Sequence, residues 1–262
     1  MSHLKVLGLG LALLASALIL PGVWGLDTWK WEVSIQNKGV HECGGVLHAS
    51  RWILSSASCF KSLSNVSDWS VVFARWQLAP ISWEIGIQKV FKHGAYTTQL
   101  SGFDIALVKL VTPVNITTSF EMIALIPLPD KSDKFADGDL CSVVGWGNVH
   151  KSGVEQYPAS NLQVTTVSLL RHETCNRKFQ EQYLSNIVFI QSDMLCSQSS
   201  TSPGACKGDT GGPLVCSVSR RTKLVGLLSW NMGCSTDGFG IYTNVSAFTT
   251  WISDTELSNS NN

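Results

Sequence analysis

The chain has 262 residues with 19 basic and 19 acidic side chains, so its formal charge at neutral pH is zero. That balance gives no cationic surface for nucleic acid or an anionic membrane to recognise, and neither is expected as a partner. The length supplies ample material for a buried core, in one domain or two fused lobes.

The first segment reads MSHLKVLGLGLALLASALILPGVWG. Lys5 precedes an apolar run over 6–20, Pro21 and Gly22 break it, and Gly25 puts a small residue at a cleavage position. This pattern predicts a secretory signal peptide over 1–25 and a mature domain over 26–262. The run is short for a membrane span, and an uncleaved anchor is the alternative. No second apolar run follows, so the mature chain is expected to be secreted, extracellular and without a membrane span. Eight cysteines follow the leader, an even number that argues for disulfides in an exported chain. None forms a C-x-x-C pair, so no metal or cofactor is expected. Sequons at Asn65, Asn115 and Asn244 are candidate glycosylation positions for the same compartment.

Along the mature chain, strand signals dominate. WEVSI, WSVVFA, EIGIQKVF, IALVKL, CSVVGW, LQVTTVSLL, LVGLLSW and GIYTNV are short, β-branched or aromatic, and partly alternating. Turn residues punctuate the intervals, which predicts an all-β sandwich or barrel. Two stretches read as helical. RHETCNRKFQ (171–180) is short and polar. VSAFTTWISDTEL (245–257) puts Val245, Phe248, Trp251, Ile252 and Leu257 near one face, as in a terminal helix docked on a core. The polar, proline-bearing loop over 127–140 is the expected bridge between a first lobe of about 26–126 and a second of about 140–250.

Five stretches in this order resemble the trypsin-like (chymotrypsin-fold) serine proteases. They are WEVSIQNKGVHECGGVLHASRWILSSASCF, FDIALVKL, CSVVGWGN, CKGDTGGPLVC and LVGLLSWNMGC followed by GIYTNV. The resemblance implies an all-β fold of two antiparallel six-stranded β-barrels with a C-terminal helix. It also implies the pairs Cys43–Cys59, Cys141–Cys216, Cys175–Cys196 and Cys206–Cys234. Each bridge would stabilise by roughly 2–4 kcal/mol, mainly through the unfolded chain.

In that family an alcohol attacks a peptide carbonyl after a histidine takes its proton, and a buried aspartate holds the histidine. The resemblance puts Thr210 at the nucleophile, Asp104 at the aspartate and Ser58 at the histidine. Serine cannot accept and return a proton near neutral pH, so the triad reads as degenerate and no residue is assigned as catalytic. Asp104 then has a plainer role, as a buried carboxylate bonded to backbone and to Ser58. His41, His48, His93, His150 and His172 are expected at the surface or in satisfied structural positions.

The family buries a newly cut N-terminal amine against the aspartate before the nucleophile, here Asp209. No cleavage sequence precedes the domain, and an amine near Leu26 is too close to Trp29 to reach. Asp209 is therefore expected to rotate outward or to find local donors, with the loop around Gly208 left in a zymogen-like state. The resemblance also implies a remnant substrate pocket. Gly204 is at its floor with Ala205 beside it, so no acid is there to receive a basic side chain. Ser229 and Trp230 form a wall, Asn231 crowds the entrance, and Gly240 leaves the back wall open.

These features imply a secreted, catalytically inactive protease homologue that binds a protein or peptide partner of unknown identity. The alternatives are a weak endopeptidase that uses Thr210 with a relocated base, or a folded remnant with no selected role. Non-reducing peptide mapping is expected to return the four cysteine pairs. A free Cys59 would undo the alignment that puts Ser58 at the base position.

Overall fold

The computed structural model describes residues 29–61, 63–73, 83–117, 123–130, 132–147, 149–151, 154–156, 161–183, 190–199, 205, 208–219, 221–232 and 239–260. The leader predicted over 1–25, Gly204, Cys206 and Cys234 lie outside them. In the first half, β1 (Glu32–Asn37), β2 (Val40–Ala49), β3 (Trp52–Ser55), β4 (Trp69–Phe73), β5 (Trp83–Lys92) and β6 (Ala106–Leu110) form a closed antiparallel barrel in the order β1-β2-β3-β6-β5-β4. Next come β7 (Leu140–Gly145) and a small hairpin of β8 (Val149–Lys151) and β9 (Val154–Gln156). Then follow β10 (Gln163–Leu170), β11 (Met194–Gln198), β12 (Pro213–Val218), β13 (Arg221–Asn231) and β14 (Phe239–Asn244). With β7 they close a second barrel in the order β10-β11-β14-β13-β12-β7. The expected architecture of two six-stranded antiparallel barrels is the one observed.

Period-two alternation explains why strands buried throughout still have two distinct faces. On β3, Ile53 points into the first barrel, while Trp52 and Leu54 join a cluster between the barrels. On β6, Ala106, Val108 and Leu110 fill the barrel and Leu107 faces the other way. The second barrel repeats the division, with Val143 and Leu214 inside and Val144 and Val215 outside. The inter-barrel cluster also takes Trp29, Trp31, Trp146, Phe248 and Ile252. Strands apolar on both faces lose the clean alternation that betrays a half-buried strand. For that reason β3 and β12 are weaker signals than β10, which keeps one exposed face over its first half.

The helices are α1 (His172–Tyr183) and α2 (Thr249–Ser258). In α1, Cys175 and Phe179 lie one turn apart and pack on Leu170, Ile190, Phe239 and Ile241. The predicted terminal helix begins later than expected. Residues Val245–Ala247 form a 3₁₀ turn because the Asn244 side chain accepts the Ser246 N–H there. Val245, Phe248 and Ile252 are buried, but Leu257, expected on the same face, is 71% exposed. The last turn of α2 has passed the edge of the core.

Three implied disulfides are present, Cys43–Cys59, Cys141–Cys216 and Cys175–Cys196. Cys141–Cys216 joins facing residues of β7 and β12. Leu54→Ala is expected to cost about 2–5 kcal/mol, because Leu54 is fully buried between the barrels. Equilibrium urea unfolding measures this directly.

Candidate functional site

Residues far apart in sequence converge where the barrels meet. Ser58 sits in the 3₁₀ turn Ala57–Phe60 after β3, anchored by the Cys43–Cys59 bridge. Asp104 sits two residues before β6, in a turn held by strained backbone. Phe103 has φ +57° and Gly102 φ +81°, and the Phe103 N–H donates to the Asp193 carboxylate at 2.6 Å. A Cβ on Gly102 would lie 2.5 Å from Asp193 Oδ1, so glycine is required on steric grounds too.

The Asp104 carboxylate has no solvent exposure and accepts three hydrogen bonds. They come from the Ser58 N–H at 2.7 Å, the Ser58 hydroxyl at 2.9 Å and the Ser229 hydroxyl at 2.5 Å. Burial pushes its pKa up, against the pull of these donors and of the Lys61 charge. Hydroxyls and an amide, rather than an imidazole, therefore satisfy this carboxylate.

The Thr210 main chain is anchored to β2 and to the Cys43–Cys59 bridge of the first barrel. The Gly44 N–H donates to Thr210 O at 2.9 Å, and Cys59 Sγ lies 3.7 Å from the same oxygen. Gly211, at φ +81°, donates to Leu228 O at 2.7 Å. A Cβ on Gly211 would sit 2.2 Å from the Ser55 hydroxyl, so only glycine allows this approach. Ser58, Asp104 and Ser229 form one hydrogen-bonded cluster, and the Thr210 main chain lies against Cys59, the residue after Ser58.

The histidine rings are engaged elsewhere. His41 is buried, with Nδ1 2.7 Å from the Ser34 hydroxyl and Nε2 3.0 Å from Gly208 O. A carbonyl can only accept, so Nε2 carries the proton and Ser34 donates to Nδ1. Burial lowers the His41 pKa, which keeps this neutral form. His48 lies 3.5 Å from the Glu256 carboxylate. His93 stacks on Phe103 and accepts the Ala95 N–H, and His172 bonds Ile190 O. The His150 side chain lies outside the described set.

Asp209 does not rotate outward. It is 9% exposed and accepts the Gly147 N–H at 2.7 Å, lying against Gly145 and Gly147 where any Cβ would collide with it. Near it is a residue that the strand pattern concealed. Glu32 on β1 is 2% exposed, and neither carboxyl oxygen has a hydrogen-bond partner. Burial, then the charge of Asp209, drives its pKa well above the usual 4.5. The alternation in WEVSI marks Glu32 as belonging to a strand but carries no sign that both faces of that strand are covered.

Of the remnant pocket, Ala205 is buried and Ser229 is fully buried, while Trp230 is half-buried against Phe179. Asn231 ends β13 opposite Gly240. Gly240 does not face empty space as expected. A Cβ there would meet the Tyr242 hydroxyl at 2.6 Å, and Tyr242, fully buried and 2.9 Å from the Ser197 hydroxyl, fills that position. Phe179 and Phe239 are pocket neighbours that the sequence reading missed.

The three sequons are accessible or partly so. In each, the carboxamide oxygen accepts the hydroxyl two residues on: Ser67 at 2.9 Å, Thr117 at 2.6 Å and Ser246 at 2.7 Å. Among the described residues no acidic, histidine or cysteine cluster could hold a metal ion, and no helix is long and apolar enough to cross a membrane.

Two closed barrels with this cluster at their junction define a serine-protease scaffold. The family model for trypsin matches residues 26–252, and the chain belongs to the trypsin family of serine proteases. It is similar to a mouse (Mus musculus) tryptase, with 32% identity over 233 residues, 86% of this chain and 84% of the relative. It is also similar to human (Homo sapiens) transmembrane protease serine 5, with 33% identity over 236 residues, 87% of this chain but 49% of that protein.

The buried Glu32 sets a pH signature. Folding raises its pKa, so the native state keeps a proton that the unfolded chain releases above pH 4.5. Its contribution to stability is complete below that pH and is lost as pH rises toward the folded value. Glu32→Gln, which cannot ionise, is expected to melt higher than the parent at neutral pH, by a few degrees for each ~1 kcal/mol recovered. The difference should vanish below about pH 4. Thermal melts of both proteins across pH 4–8 test the effect.

Proposed function

We propose that this protein is a secreted, catalytically inactive member of the trypsin family that binds a protein or peptide instead of cutting it. One observation carries the reading. The residue at the base position, Ser58, gives both its N–H and its hydroxyl to Asp104, and the His41 and His172 rings hydrogen-bond the Gly208 and Ile190 carbonyls. A serine hydroxyl is too weak a base to take and hold a proton from Thr210 near neutral pH. Losing triad members in proteases of this kind costs on the order of 10⁴–10⁶ in turnover. The scaffold that positions the cluster is nevertheless intact, and it still presents loops around a cleft, where binding functions concentrate. The disulfides suit an oxidising, extracellular compartment.

The test uses protein secreted from its full-length sequence. A fluorophosphonate probe and a broad peptide and ester library should give no labelling and no turnover, beside a mouse tryptase control that reacts. Labelling at Thr210 that disappears in Thr210→Ala would overturn the inactive reading and favour a weak endopeptidase.

A further inference from the structure

Gln99 opens the 3₁₀ turn Gln99–Ser101, and its side chain reaches into the cluster. Its Nε2 donates to the main-chain carbonyl of Ser229 in a short contact and lies 3.4 Å from the Ser58 hydroxyl. Its Oε1 accepts Lys61 Nζ at 3.3 Å. The carboxamide thus spans the gap from the base position to β13 and covers the Ser58–Asp104 pair.

The Ser229 carbonyl is an unusual acceptor. The β13–β14 register breaks between Leu228 and Trp230, and the β12–β13 register stops at Leu227, so Ser229 belongs to neither ladder. A main-chain carbonyl left unpaired at a strand irregularity is the group to which the N–H of an added extended peptide bonds. In this structure Gln99 supplies an amide N–H to that acceptor from within the chain.

The turn that carries Gln99 is rigid. Thr98 and Ser101 form a reciprocal capping box, and Leu100 O accepts Gln191 Nε2 at 3.3 Å. The side chain therefore projects from a fixed base, and only its own torsions need change to clear the cleft.

We propose that Gln99 is an internal plug. Its carboxamide occupies the bonding position of an incoming extended peptide at Ser229, and such a peptide docks only when Gln99 swings aside. This inference rests on the peptide-binding reading above and adds to it the residue that competes with the ligand.

Two measurements on the secreted full-length protein separate the inference from the reading it rests on. In the first, the side-chain NH₂ signal of Gln99 is assigned by its loss in Gln99→Ala. It should exchange with solvent about tenfold or more slowly than an exposed carboxamide, and exchange at the exposed rate overturns the plug. In the second, fluorescein-labelled Ala-Ala-Pro-Phe-amide is titrated by fluorescence polarisation; its aromatic end suits a pocket floor without an acid. Gln99→Ala and Gln99→Glu should each bind about tenfold more tightly than the parent, the scale of one competing hydrogen bond. Gln99→Glu keeps the side-chain size but turns a carboxylate toward Ser229 O, so it opens the cleft by repulsion. Gln99 is half-exposed on a surface turn, and melting temperatures within a few degrees of the parent verify that both variants fold. Equal or weaker binding by the variants overturns the inference. Binding by none of the three proteins overturns it as well, and a protected Gln99 in that case locates the failure in the peptide-binding reading and not in the contact.

Discussion

The Asp104 carboxylate is the constraint around which the barrel junction is organised. It is out of reach of solvent and carries a charge that burial disfavours, so it must be surrounded by donors. Those donors come from both halves of the chain. Ser58 belongs to the first barrel, and Ser229 belongs to the second. The main-chain carbonyl of Asp104 also accepts the Thr243 hydroxyl from β14 at 2.8 Å. Asp104 therefore adds hydrogen bonds across an interface that the apolar inter-barrel cluster packs and that Ser56–Leu228 and His41–Gly208 contacts also cross.

This arrangement separates scaffold from chemistry. Where the family uses an imidazole to carry the aspartate's influence to the nucleophile, Ser58 closes the hydrogen-bond circuit on the aspartate itself. Ser58 satisfies the carboxylate through its N–H and its hydroxyl. The Gln99 carboxamide then lies over the space between Ser58 and Ser229.

A second set of polar groups surrounds the loop before Thr210. His41 holds Gly208 O, Gly147 holds Asp209, and Glu32, its pKa raised by burial, has no hydrogen-bond partner for its carboxyl. Glu32 and Asp209 are coupled electrostatically, because ionising one carboxyl raises the cost of ionising the other. The consequence is a loop whose geometry is set by interior contacts of both barrels.

The strand-rich character and the two-barrel division were legible in the sequence. They depend on local spacing: β-branched runs between turn residues, and cysteines flanking glycine pairs. The residues that escaped such reading share one property, which is that their meaning comes from what covers them. Glu32 looks like the polar half of an alternating strand until the second barrel is placed against β1. Gly240 looks like an opening until the Tyr242 ring, two residues on, folds back over it. Gln99 looks like an ordinary turn residue until β13 brings an unpaired carbonyl within its reach. Leu257 looks like part of a buried face until the core ends beneath it. Sequence spacing determines which face of an element a residue joins. Only the packing of one barrel on the other decides whether that face meets water, a hydrogen-bond partner or another charge.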